Sequence, residues 1–247
     1  MSKNKDNLNW FEDWFDSPYY HILYKNRDMV EAETFIANLL GYLKPLKTDH
    51  LLDVACGKGR HAKTMNDLGF NVDAFDLSEN SIASAKQFQN ERLKFYVNDI
   101  RKPLNTNHYQ FAFNLFTSFG YFDDDNDNIL AIDAIAKSLF NDGTLVLDFM
   151  NASKIIAELV EAETKMIEGI TFKITKSVVD NFIIKQIDFE DKGNSYSFQE
   201  RVKAITQKDF IRYFNLANLK IEATFGDYDL NPFNENTSER LIIVAKK

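Results

Sequence analysis

Nothing constrains the fold of this chain more than ten consecutive residues, Leu51-Leu52-Asp53-Val54-Ala55-Cys56-Gly57-Lys58-Gly59-Arg60. A short apolar run there breaks into a glycine-bearing turn and then into a helical pattern. Glycine lets the backbone pass where a Cβ would collide with a neighbouring segment or a ligand. A helix that starts straight after such a turn offers unpaired N–H groups and a positive dipole end to a carboxylate or phosphate. The alternation continues downstream. Residues 51–55, 71–75, 93–97, 111–116 and 144–149 read as strands, and helices are expected up to Gly69, after a Ser78 cap, and over 126–140. Strands alternating with helices predict an α/β fold, a parallel doubly wound sheet with right-handed crossovers.

The rhythm then changes. Residues 171–179, 182–188 and 195–205 are strand-like, with turns at Asp180-Asn181 and Lys192-Gly193-Asn194, which predicts a small antiparallel insertion. Helix returns over 207–217, and strands over 220–225 and 241–245 finish the chain. Upstream, Trp10, Phe11, Trp14 and Phe15 stand at helical spacing, Pro18 favours a new helix start, and 27–43 is an amphipathic helix carrying Phe35, Ile36, Leu39 and Leu40. The expected organisation is an N-terminal helical cap over 1–45, a core over 46–155 and 206–247, and the inserted sheet over 156–205.

A chain of 247 residues with 27% charged and 45% hydrophobic residues, 9 Gly and 4 Pro is globular in composition. The formal charge of −8 opposes a general nucleic-acid binder, which needs clustered Lys and Arg. One cysteine, Cys56, makes no intramolecular disulfide. The polar start lacks the apolar core of a signal peptide, and no apolar stretch approaches the roughly 18 residues of a spanning helix. The expectation is a cytoplasmic protein with no membrane partner.

Three acidic residues stand at expected C-terminal strand ends, where open α/β sheets bind ligands: Asp53, Asp76 and Asp99. Asp53 suits the ammonium group of an amino acid. Asp76 is placed to accept hydrogen bonds from two ribose hydroxyls, and Asp99 to meet an adenine edge. A nicotinamide site is the rival reading, because Gly57-Lys58-Gly59-Arg60-His61-Ala62 fits G-x-G-x-x-A with Asp76 near the usual spacing. Against it, Asp53 would set a negative charge beside a pyrophosphate, and the chain closes in a strand pair rather than a substrate domain.

Residues 51–60 together with Asp76 and Asp99 resemble the first three motifs of the class I S-adenosylmethionine-dependent methyltransferases, with Ala55 where many members have Gly. The resemblance implies a Rossmann-like, seven-stranded sheet with an antiparallel last strand. It implies S-adenosylmethionine as cofactor, S-adenosylhomocysteine as product and no metal. It also carries a cofactor site of Asp53, Ala55, Gly57, Gly59, Asp76, Leu77, Asp99, Ile100 and Asn114. Within that family the chain is most similar to small-molecule N-methyltransferases, such as glycine N-methyltransferase and the amino-sugar dimethylating enzymes. Asn114-Leu115-Phe116-Thr117-Ser118-Phe119-Gly120-Tyr121 resembles their loop after the fourth strand, which borders the transferred methyl, with Tyr121 where they often have His. Phe119, Gly120 and Tyr121 are then expected on the acceptor side, with Tyr20 and Arg27 closing over the cofactor from above. Tyr20 and Tyr121 are positioning candidates, and His21 is assigned to packing or polar surface. The implied reaction is methyl transfer to a small acceptor, at nitrogen rather than oxygen. RNA or protein methylation, and a binding module that has lost the chemistry, are the alternatives.

Other features carry less. Asp123-Asp124-Asp125-Asn126-Asp127 lacks the glycine and final glutamate of a calcium loop and reads as an acidic helix start. His50, His61 and His108 show no metal-ligand spacing along the chain. Cys56 is assigned no nucleophilic role. The exposed edges of the inserted sheet offer a homodimer surface.

Overall fold

The structure, a computed structural model, describes residues 14–15, 17–24 and 29–247. The first helices whose bounds are described are α1 (Pro18–Leu23) and α2 (Met29–Leu43), and Ser17 caps α1 with Pro18 at its first position. The core then runs β1 (His50–Val54), α3 (Arg60–Asp67), β2 (Asn71–Asp76), α4 (Glu79–Ala85), β3 (Leu93–Val97), β4 (Tyr109–Asn114), α5 (Asp125–Ser138) and β5 (Leu139–Met150). A short helix, α6 (Ala152–Ala157), leads into the insertion of β6 (Ala162–Ile167), β7 (Ile170–Val179), β8 (Phe182–Asp191) and β9 (Asn194–Lys203). The core resumes with α7 (Gln207–Leu216), β10 (Lys220–Phe225) and β11 (Arg240–Lys246).

The main sheet has seven strands in the order β10-β11-β5-β4-β1-β2-β3. Its first five strands in chain order pair in parallel, and β11 runs antiparallel to both β5 and β10. Both faces are covered, as the unbroken apolar strands require. Leu52, Val54, Leu145, Leu147 and Ile243 pack against Ile132 and Ile135 of α5 and Phe210 and Phe214 of α7. The alternate residues Leu51, Val72, Ala74, Phe113 and Val146 pack on the opposite face against Phe35, Ile36 and Leu39 of α2 and Ala62 and Met65 of α3. Local signals set the helix starts: Ser78 accepts the Ser81 N–H, and Asp124 accepts the Asn126 N–H at the acidic start of α5. Among the described residues, no helix is long and apolar enough to cross a membrane.

The inserted sheet has four strands in sequence order, all antiparallel, where the apolar pattern predicts three. The additional strand, β6, is a largely exposed edge with no apolar alternation; it is held by its ladder to β7 rather than by burial. All three hairpins turn through two residues of positive φ: Glu168-Gly169, Asp180-Asn181 and Lys192-Gly193. One face of this sheet, with Phe172, Ile174, Ile187 and Phe189, carries Trp14 and Leu23 of the cap.

Candidate functional site

The glycine turn forms at the C-terminal end of β1 as expected from its composition. Ala55, Gly57 and Gly59 all have positive φ, at 57°, 54° and 81°. A Cβ on Gly59 would lie 2.6 Å from Cε1 of Phe95, so glycine there allows the turn to sit on β3. A Cβ on Gly57 would meet nothing within 4 Å, so that glycine faces open space. The Cys56 N–H donates to the Phe75 carbonyl at 2.9 Å, which ties the turn to β2.

Asp53 sits behind this turn, 1% exposed, with Oδ2 accepting the Ala62 N–H of α3 at 2.9 Å. Burial pushes its carboxyl up to about 7 and the nearby Asp76 charge adds to this, while the Ala62 N–H and Arg60 oppose it. Burial also pushes the Cys56 thiol well up, so it stays protonated. Asp76 grips the turn directly: Oδ2 accepts the Gly57 N–H at 2.8 Å and Oδ1 the Ser78 N–H at 2.9 Å. Leu77 beside it is 46% exposed, an apolar surface at the mouth of the site. Asp99 is held by Arg101, whose guanidinium donates from Nε at 3.1 Å and Nη2 at 2.7 Å. These bonds pull the Asp99 carboxyl below its ordinary value. Ile100 packs against the core beneath.

The loop after β4 is where structure adds most. Asn114 is buried and donates its amide to the carbonyls of Val54 at 3.0 Å and Ser118 at 3.2 Å. Its buried Oδ1 has no hydrogen-bond partner among the described residues. Phe116 and Thr117 follow in consecutive left-handed conformations, φ 57° and 61°, which cost non-glycine residues about 1–2 kcal/mol each. They are held by a buried ion pair absent from the sequence reading. Asp148 of β5 accepts the Phe116 N–H at 2.8 Å and Nε of Arg240 at 2.8 Å, while Arg240 Nη2 reaches Thr117 Oγ1 at 2.9 Å. The available signal was an aspartate inside the apolar run Leu145-Val146-Leu147-Asp148-Phe149. The Phe116 ring is stacked between His61, centroids 4.8 Å apart, and Tyr228, at 5.1 Å. Burial holds the His61 imidazole neutral, its pKa lowered to about 3.

Two of the expected acceptor-side residues, Phe119 and Gly120, are buried. Phe119 is 2% exposed and packs its ring against Phe210, with centroids 5.8 Å apart. Gly120 is buried and accepts the Lys203 N–H at 2.8 Å, joining the loop to the end of β9; a Cβ there would sit 3.1 Å from Phe149. Tyr121 donates its hydroxyl to the Thr117 carbonyl at 2.6 Å. From the cap, Tyr20 packs on Trp14, Phe15 and Tyr24 at centroid distances of 5.6, 5.1 and 4.9 Å. Phe15 in turn meets Tyr121 edge-on at 5.8 Å. Trp14 Nε1 and the Tyr24 hydroxyl donate to Glu200 of β9 at 2.7 and 2.6 Å, fastening the cap to the insertion. Arg27 and the His21 side chain lie outside the described residues.

A sheet of this order with an antiparallel final strand, a glycine turn after β1 and acidic residues closing β2 and following β3 is the Rossmann-like architecture of class I S-adenosylmethionine-dependent methyltransferases. Residues 46–218 match the family model of a methyltransferase domain, and the chain belongs to that family. Family membership decides for methyl transfer over the nicotinamide reading. No curated protein matches the sequence. Among solved structures, an S-adenosylmethionine-dependent methyltransferase from Clostridium acetobutylicum is 18% identical over 92% of this chain and 95% of its own, with a TM-score of 0.79. A sugar N-methyltransferase from Streptoalloteichus is 18% identical over 92% of each chain, TM-score 0.74. An amino pentose methyltransferase from Micromonospora echinaspora, in a structure with S-adenosylmethionine bound, is 17% identical over 93% of this chain and 97% of its own, TM-score 0.73. At these identities the likeness is one of fold.

Proposed function

We propose that this methyltransferase transfers the methyl group of S-adenosylmethionine to a nitrogen of a small-molecule acceptor bound between the cap and the loop after β4. The observation that carries the reading is the Phe15–Tyr121 contact, 5.8 Å between centroids, through which the cap meets that loop. A roof of aromatic rings over the end of a sheet suits a small acceptor better than a folded RNA or protein surface, and the net charge of −8 disfavours RNA further. The sugar and amino pentose methyltransferases among the structural neighbours favour the same acceptor class.

The residues fit the cofactor. The open space before Gly57 and the orphaned Asn114 Oδ1 suit an amino-acid end with N–H groups to donate. Asp53 supplies negative charge behind the turn, Asp76 takes the ribose hydroxyls, and Leu77, Asp99 and Ile100 flank the adenine. The cofactor supplies a sulfonium whose methyl is already electrophilic, so the protein's task is alignment and exclusion of water. An amine must reach the methyl with its lone pair free. The Tyr121 hydroxyl proton is committed to Thr117, so its oxygen serves as an acceptor that orients an acceptor N–H. This is a positioning role.

Calorimetry with S-adenosylmethionine and S-adenosylhomocysteine, on wild type and Asp76→Ala, is the first test, followed by S-adenosylhomocysteine release with amino sugars, other small amines and hydroxyl acceptors. Micromolar binding weakened by Asp76→Ala and turnover with amines are expected. Turnover confined to hydroxyl acceptors, RNA or protein would overturn the proposal.

A further inference from the structure

At the opposite end of the sheet from the glycine turn, three residues distant in sequence converge. His50 opens β1, Asp73 lies in β2 beside it, and His108 immediately precedes β4. We propose that these three side chains bind a divalent transition-metal ion of the zinc class, at a site independent of the methyl-transfer chemistry.

The donor set is two imidazole nitrogens and one carboxylate oxygen, a combination suited to zinc with remaining positions left to water. One donor atom from each residue lies within 4.8 Å of the others, and His50 Nε2 is 3.5 Å from Asp73 Oδ2. Tetrahedral zinc with bonds near 2.0–2.1 Å needs donors about 3.3 Å apart. The His50–Asp73 edge therefore already has the required length. The longest separation must contract by about 1.5 Å, a distance that rotation of a partly exposed imidazole covers. An ordinary ion pair accounts for one imidazole. The second, with its ring centroid 4.8 Å from the first, is what a metal site needs and an ion pair does not.

The surroundings orient the donors. The buried Tyr109 hydroxyl donates to Asp73 Oδ2 at 2.9 Å, and the Asn105 amide donates to that hydroxyl at 2.8 Å, an outer shell of the kind that fixes metal-ligating carboxylates. Both histidine backbones are pinned, His50 N–H to Gln110 Oε1 at 2.7 Å and His108 N–H to the Ser138 carbonyl at 2.9 Å. Both imidazoles are partly exposed, the His50 side chain by 30%, which gives solvent access. At about 3.3 Å per residue, β1 separates His50 from Val54 by roughly 13 Å, so the ion does not reach the cofactor turn. Bound there, it joins β1, β2 and the entry to β4 and stabilises the fold.

The test uses the full chain freed of metal by chelator dialysis. Titration with zinc chloride is expected to show one equivalent bound and a raised melting temperature, and cobalt(II) is expected to give the visible bands of a low-coordinate nitrogen and oxygen site. His50→Gln and His108→Gln should each weaken zinc binding by at least about 100-fold, and Tyr109→Phe by about 10-fold. No stoichiometric binding of zinc or cobalt by the folded wild type would overturn the proposal. So would stoichiometric binding that both His→Gln variants leave intact. The readout is metal uptake, so its failure leaves the acceptor reading untouched, and failure of S-adenosylmethionine binding leaves the metal result untouched.

Discussion

Replacing Arg240 with Met should separate what holds this protein together from what makes it active. Asp148 is fully buried, and Arg240, 19% exposed at its side chain, donates to its Oδ1 from Nε at 2.8 Å, with Nη2 also 2.8 Å from that oxygen. Removing one partner of a buried pair costs about 3–5 kcal/mol, because the remaining charge is left uncompensated. The partial exposure of Arg240 puts the expected cost at the lower end, about 3 kcal/mol. For a chain of this size that corresponds to a melting temperature lower by about 6–12 °C. Function should suffer separately. Phe116 and Thr117 together hold about 2–4 kcal/mol of left-handed strain, and Arg240 fastens both through Asp148 and Thr117 Oγ1. If about 2 kcal/mol of that restraint is used to align the acceptor, kcat/KM falls by about 30-fold. The double variant Asp148→Leu with Arg240→Met removes both charges and should regain most of the stability. It should not regain activity, since the Phe116 N–H has lost its acceptor. Thermal melts and initial rates of S-adenosylhomocysteine release on the three variants, Asp148→Leu included, decide the matter. A single Arg240→Met variant melting within about 2 °C of wild type, or a double variant recovering activity along with stability, would refute the reasoning.

Two further outcomes follow from the turn after β1. Ala55 occupies φ 57° where glycine is strain-free, so Ala55→Gly should raise stability by about 0.5–1 kcal/mol; a lower melting temperature would contradict that conformation. The Asp53 carboxyl is raised from 3.8 to about 7, so the native protein keeps a proton that the unfolded chain has lost, and the cofactor-free protein should lose stability as pH rises through that window. An ammonium group beside Asp53 favours the carboxylate, so S-adenosylmethionine affinity should climb from about pH 6 to about pH 7 in wild type and stay flat in Asp53→Asn. Parallel pH slopes in the two proteins, by melting and by calorimetry, would remove Asp53 from both roles.

What could be read from the sequence was local. The strand-to-helix alternation, the glycine turn, the Ser78 cap, the acidic start of α5 and the two-residue turns of the insertion each depend on residues within a few positions of one another. They also narrowed the chemistry, because an aspartate, Asp76, closes the next strand, and it accepts the Gly57 N–H from 19 positions on. The edge strand β6 escaped because its stability comes from pairing with β7, which leaves no apolar periodicity to detect. The packing of Phe119 against Phe210 was not legible because a contact between residues so far apart in the chain leaves no local pattern.

The amino-acid sequence by itself therefore determined the period of each element, the caps and turns that bound it, and the presence of a glycine turn followed by acidic strand ends. Only the tertiary structure decided which strands are neighbours. The pairing of β5 with β11 brings Asp148 to Arg240, 92 positions away, and the pairing of β1 with β2 and β4 brings His50, Asp73 and His108 together. The physical reason is that hydrophobic periodicity records only which face of a strand is buried. Strand order is set by the packing of the whole sheet, and contacts across it leave no mark on local spacing.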